Sequence, residues 1–422
     1  AQGNDADDAS GVEQLHKLEQ LGEPIEYPGS DADDPGSVPE PVTAGGVAYF
    51  THGGDDPRII AVDLSTGKQK WRKPVSEPIG IALRAGREAL YTADTEAGIV
   101  NFIDRESGES ANVVELGGRI TVGSAGDLVV VFAEDSETVS AYRADGSRAW
   151  ERSFDSAVVE LDIEAEWRKF STQPGRYSKQ DPRHMIIYGE DGMVWRLDTG
   201  SGDTVDSFDT GDDNLATLAH QGYMFTATQA DDGTYTVTMR DVGDDFAEVG
   251  QWDSLRKGYT PRKLVACGKT RICVKDNDYG ATGGAVVIDF GDTDGDPLWQ
   301  SPADSNVTEV YAAGSTTAVV DGGQDSEPST QLYNSEFEPL GRSKPGTFRP
   351  IDGRTFLDYP RTAGTEPANP LGEHFFTGLD AADGSTRDLG MREVHPQCVT
   401  DGSHMACSTP EGITVWGYRD GK

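Results

Sequence analysis

No stretch of this 422-residue sequence approaches the run of about eighteen apolar residues that a membrane-spanning helix needs, so none of it reads as a span. Positive charge is scarce. Against 36 Lys and Arg stand 73 Asp and Glu, a net charge of −37. Such a chain is repelled by phosphate backbones and anionic bilayers, which excludes nucleic acid as a partner and leaves membrane attachment to an anchor. The seven histidines, His16, His52, His184, His220, His374, His395 and His404, show no paired metal-ligand spacing. Each reads as a surface or hydrogen-bonded core residue. There is no Walker loop, no Gly-x-Gly-x-x-Gly, no His-Glu-x-x-His and no Gly-x-Ser-x-Gly. Cysteine is limited to four residues. Cys267 and Cys273 flank one predicted turn and Cys398 and Cys407 another. Neither pair has the Cys-x-x-Cys spacing of a structural zinc site. Each can close across its own hairpin, and disulfides imply an oxidising, extracytoplasmic address; four buried thiols are the alternative.

What the sequence has in abundance is turns. Its 51 glycines, with many Asp, Thr and Ser, punctuate short apolar segments. One unit is clearest: Ala61-Val-Asp-Leu-Ser-Thr-Gly-Lys-Gln-Lys-Trp71, a strand, a tight turn on Thr66-Gly67 and a returning strand. Fragments recur at intervals of roughly forty residues. They appear at Phe102–Gly108, at Ala141–Gly146 with Trp150, at Arg196–Gly202, at Met239–Gly243 with Trp252, at Ile288–Gly291 with Trp299, at Leu379–Gly384 and at Val415–Gly421. Two further short apolar segments precede each, as Ile120–Val122 and Leu128–Phe132 do before the third copy. Units this short cannot bury a core alone, and they continue without a linker from about residue 41. Four-stranded sheets arranged around an axis meet both constraints, because each packs its faces on its neighbours.

The Ala61–Trp71 unit resembles the repeat of the PQQ-like propellers, the group that contains quinoprotein alcohol dehydrogenases and the lipoprotein scaffold of outer-membrane assembly. The resemblance implies an all-β propeller in which a Trp docks each blade to the next; Trp71, Trp150, Trp252 and Trp299 fall at the docking place. Counting third-strand segments gives nine, around Val62, Phe102, Tyr142, Trp195, Met239, Ile288, Leu332, Leu379 and Val415. Eight blades are commoner in that family, and the weak unit around Leu332 is the one that reads as a loop if eight is correct. The last unit lacks a fourth strand, so closure is expected from an N-terminal strand pairing with the C-terminal blade, with Glu23–Tyr27 as donor. The propeller domain then spans 41–422.

Residues 1–40 differ in kind. Ser10-Gly-Val-Glu13 has the form of a capping box, and Val12, Leu15, Leu18 and Leu21 recur every third residue before Gly22, which predicts a short helix. Residues 28–41, rich in Pro, Gly and Asp, read as a linker. The chain begins at Ala1 without Met or an apolar leader, which leaves room for a signal peptide or anchor upstream. Asp outnumbers Glu and Arg outnumbers Lys, as in exported proteins of high-GC or salt-adapted organisms.

Two stretches carry site chemistry. The insertion Glu166–Lys179 concentrates Trp167, Arg168, Lys169, Phe170, Arg176, Tyr177 and Lys179 in an otherwise acidic chain, the composition of a protein-binding surface; packing on the propeller side is the alternative. Asp292, Asp294 and Asp296 alternate through a tight loop, as calcium ligands do, but Pro297 and the lack of a later Glu depart from an EF-hand, so a plain turn reads equally. The family resemblance also implies a quinoprotein dehydrogenase with PQQ and calcium, held under a disulfide between adjacent cysteines. This sequence has no adjacent pair. The leading expectation is therefore a non-catalytic extracytoplasmic propeller without a cofactor. It serves as a secreted, lipoprotein or ectodomain scaffold that binds a protein of the cell envelope; a sensor of a small ligand or carbohydrate is the other reading.

Overall fold

The structure, a computed structural model, describes residues 11–419 apart from 27–40, 53–57, 75–81, 87, 164–182, 212–215, 231–232, 279–282, 293–295, 304, 323–327, 360–371 and 397. It contains nine sheets, each of four antiparallel strands. Eight are built from consecutive strands, giving blades 1 to 8 over residues 42–74, 82–115, 120–153, 158–209, 216–255, 259–300, 307–345 and 348–394. Blade 9 takes three strands from 398–419 and its fourth from Leu15–Ile25. The chain is thus an all-β propeller of nine blades. The unit around Leu332 is a full blade, with Leu332 in a third strand, Ser329–Tyr333.

The core is divided in a way that follows from this closure. Nine buried clusters each join one blade to the next. Trp71 and Tyr49 of blade 1, for example, share a cluster with Leu83 and Leu90 of blade 2. The ninth joins Val415 and Ile413 of blade 9 to Ile60 and Val62 of blade 1. Fourth strands lie outermost, as the exposed pattern of Ser110–Glu115 shows. First strands of neighbouring blades approach one another around the axis, where Thr217 reaches Glu160.

The N-terminal segment departs from the expected helix. Among the described residues only Val12–Gln14 form a helical turn, of 3-10 type, and Leu15–Ile25 is a strand paired antiparallel to Gly412–Arg419. The register slips between Leu15 and Glu19 and again between Leu21 and Ile25. The donor strand therefore begins eight residues before the expected Glu23, and Tyr27 lies outside the described residues. The burial of Leu15 and Leu18 against blade 8 and of Leu21 against blade 1 shows that the apolar residues serve two faces of a strand.

Candidate functional site

Each residue singled out from the sequence has a definite place or lies outside the described chain. Trp167, Arg168, Lys169, Phe170, Arg176, Tyr177 and Lys179 all lie outside it, as does Asp294. Asp292 and Asp296 are exposed. Cys267 is bonded to Cys273, with Cα atoms 5.8 Å apart, and Cys398 to Cys407, which are register partners on adjacent strands. No group of three or more His, Cys, Asp or Glu is arranged to hold a metal among the described residues.

The tryptophans explain the repeat. Trp71 Nε1 donates to the Arg105 carbonyl of blade 2 at 2.8 Å, and Trp150 Nε1 to the Thr199 carbonyl of blade 4 at 2.9 Å. In both cases the indole lies on the turn glycine of the next blade, Gly108 or Gly202, where a Cβ would come within 2.5 Å of the ring. Trp299 packs instead against Tyr333 and Phe337 of blade 7. Trp252 sits elsewhere in its sheet. It pairs with Val237, two residues before Met239, the position matching Ala61, and Gly250 stands opposite Met239 instead. The Asp that opens each turn has its own role. Asp63 Oδ1 accepts hydrogen bonds from Ser65 Oγ, Thr66 N and Thr66 Oγ1. Partial burial pushes its carboxyl upward, but these donors together hold it below the usual range.

Chemistry not visible in any motif collects on the first strand of blade 4. Val158–Ile163 reads Val-Val-Glu-Leu-Asp-Ile, two acids in an otherwise apolar strand. Asp162 accepts the Ala219 backbone N–H of blade 5, and Glu160 accepts Thr217 Oγ1 at 2.9 Å. Burial pushes the Asp162 carboxyl up to about 7, the Glu160 charge adding to that, while the Ala219 and Ile163 N–H groups and Lys263 oppose it. Glu160 is raised in the same way. The buried Tyr188 phenol is raised far above its ordinary value by desolvation and by these two carboxylates, with Thr217 opposing the shift. The result is an acidic patch between blades 4 and 5 whose carboxyl groups keep their protons to higher pH than usual.

Two more buried polar groups lie between blades. Arg256, at φ +37°, makes a 3.4 Å ion pair with Asp276, both almost wholly buried, and lies over the Tyr259 ring at 3.8 Å. Tyr235 of blade 5 donates to the same carboxylate at 2.8 Å. In blade 8, burial raises Asp358 to about 7 and lowers His374 to about 4, so at neutral pH the imidazole is uncharged. Sequence reading overlooked these groups because their partners are far away in the chain: Tyr235 and Asp276 are 41 residues apart.

A ring of nine four-stranded blades docked through turn glycines and tryptophans defines a β-propeller of the PQQ-like repeat type. The family model described as outer membrane protein assembly factor BamB matches residues 29–241, half of the sequence. The chain belongs to that family. No curated protein matches it. Among solved structures it is similar to BamB from Moraxella catarrhalis, with 14% identity, 95% of this chain and 100% of that chain covered and a TM-score of 0.48. It is also similar to the computationally designed Ika8 protein, with 15% identity, 88% and 99% covered and a TM-score of 0.50. At such identity the likeness to Ika8 speaks to the fold alone.

Proposed function

We propose that this protein is a non-catalytic extracytoplasmic scaffold that binds a protein partner of the cell envelope. The observation that carries this reading is membership of the BamB family across residues 29–241. Two disulfides support the compartment, since such bonds persist in oxidising surroundings. The four cysteines form these two separated pairs, so the quinone-covering pair of adjacent cysteines has no counterpart. The repeat residues whose roles the geometry defines, Trp71, Gly108, Trp150 and Gly202, are occupied in holding blades together, and a packing motif persists without a cofactor. Cross-linking in the native envelope, followed by affinity capture on the full chain, is expected to retain a discrete protein partner. Capture indistinguishable from a bead control, together with turnover of an alcohol in the presence of PQQ and calcium, would reverse the assignment.

A further inference from the structure

Blade 8 is lopsided. Its first two strands are short, Phe348–Pro350 and Thr355–Asp358, whereas the last two, Gly372–Asp380 and Thr386–Val394, have nine residues each. The second strand's pairing stops at Asp358 with Thr377, so among the described residues 372–376 pair only with the fourth strand. Phe376 is fully buried in the cluster shared with blade 9. By strand alternation its neighbour Phe375 points the other way, toward blade 7. The fourth strand of blade 7 is short as well, Lys344–Pro345.

The outcome is an apolar pair in water. Phe375 is 65% exposed and Met391, its direct cross-strand partner, 40%. Among the described residues they are the two exposed large non-valine apolar side chains that face each other across one ladder. The next pair on the same face is Glu373 opposite Glu393, both exposed and without an ion pair among the described residues. Like charges directly opposite repel across an antiparallel ladder. Among the described residues, nearby cations do not relieve them. Arg392 alternates to the other face and donates to the Leu18 carbonyl, and the His395 imidazole beside Glu393 is kept neutral by burial. An exposed aromatic beside facing carboxylates is answered by one kind of ligand, an apolar side chain flanked by Lys or Arg.

We infer that the Phe375–Met391 face of blade 8, with Glu373 and Glu393, is a docking surface for a basic, apolar segment of a protein partner. The inference rests on the scaffold reading and specifies where that scaffold engages. The apolar pair anchors the segment and the two carboxylates set its charge. Binding is then salt-sensitive, since the carboxylates lie at the surface.

The test uses the full chain and a short fluorescent peptide that alternates Lys with Phe and Leu. Saturable binding is expected, weakened roughly tenfold by Phe375→Ser and again by Glu373→Gln with Glu393→Gln, each more than most interface residues contribute and less than a hot spot. The control Val113→Ser with Glu115→Gln removes an exposed apolar residue and acid from blade 2 and leaves binding unchanged. All variants keep the wild-type melting temperature, because the replaced side chains are exposed. Equal binding by the blade 8 variants, or equal binding of a peptide with Glu in place of Lys, overturns the proposal. So does self-association lost on Phe375→Ser, which would assign the face to a second copy of this chain. If envelope capture survives in that variant while the peptide ignores it, the docking surface fails and the scaffold reading stands.

Discussion

At the scale of single residues, the repeat is a contact between a ring and a missing side chain. Gly108 and Gly202 adopt φ near +70° and leave the space that Trp71 and Trp150 fill. Where blade 2 lacks the Trp, Asn112 takes its place opposite Phe102, whereas Trp71 and Trp150 stand opposite Ala61 and Ala141. Bulk has moved across the ladder, from the fourth strand to the third, and Phe102 reaches the next blade's Gly146. Two glycines separate the causes. Gly211 has φ +68° and open space, with no atom within 4 Å of where a Cβ would lie, while Gly202 has φ +70° with the Trp150 ring at 2.5 Å. Gly211→Ala is expected to cost about 1 kcal/mol, from left-handed backbone alone. Gly202→Ala should cost about 1–3 kcal/mol more, the usual penalty for overpacking. Urea unfolding of the two variants measures the difference, and equal losses would show that the indole yields freely.

At the scale of elements, the fourth strand of blade 9 holds the ring shut. Leu15 and Leu18 enter the blade 8 interface and Leu21 the blade 1 interface. The backbone approach there is close: a Cβ on Gly67, in the turn of the first repeat, would lie 1.7 Å from the Leu21 carbonyl oxygen. The closing strand takes the docking place that Trp71 occupies one blade further on. Leu18→Ala should therefore cost about 2–5 kcal/mol, as for other buried leucines. Removing the Cys398–Cys407 bridge, which closes a loop across nine positions between the first two strands of the same blade, should cost about 2–3 kcal/mol. Denaturation of both variants, with and without reductant, checks the pair; a bridge-deleted protein as stable as wild type would place closure wholly in the strand. The same element marks the limit of what could be read in advance. Third strands were legible because turn chemistry repeats with them, down to the weak unit at Leu332. Closure by an N-terminal strand was legible too, but the strand's reach back to Leu15 was not, since a register slip after Leu15 turns a period of two into a spacing of three, which imitates a helix. The Phe375–Met391 face was equally hidden. It lies where the second strand of blade 8 has already ended, at Asp358 opposite Thr377, a length that no local pattern announces.

At the scale of the whole molecule, nine interfaces in a closed ring bring buried ionisable groups under one stability curve. Asp162 and Asp358 are raised from an ordinary 3.8 to about 7, so the folded state binds their protons more tightly than the unfolded chain does. Their contribution is fully present below pH 4 and is lost as pH rises through 7. His404 acts in the same sense. Its hydrogen bond and ion pair with Asp401 raise it above 6.5, and the stability it supplies is lost above that raised value. His374 acts oppositely, being lowered from 6.5 to about 4; its contribution is complete above 6.5 and disappears as pH falls through 4. Between pH 4 and 6.5 the two senses oppose each other. Above 6.5 only the losses remain, so the melting temperature should fall between pH 6.5 and 8. Net charge of −37 also disfavours the compact state, and that repulsion is removed by working in about 1 M NaCl, where the screening length is about 3 Å. Under those conditions Asp162→Asn with Asp358→Asn should flatten the decline, because the amides carry no proton to lose. Calorimetry at the two pH values decides it: a slope unchanged in the double variant would move the pH dependence away from the blade 4 and blade 8 carboxylates.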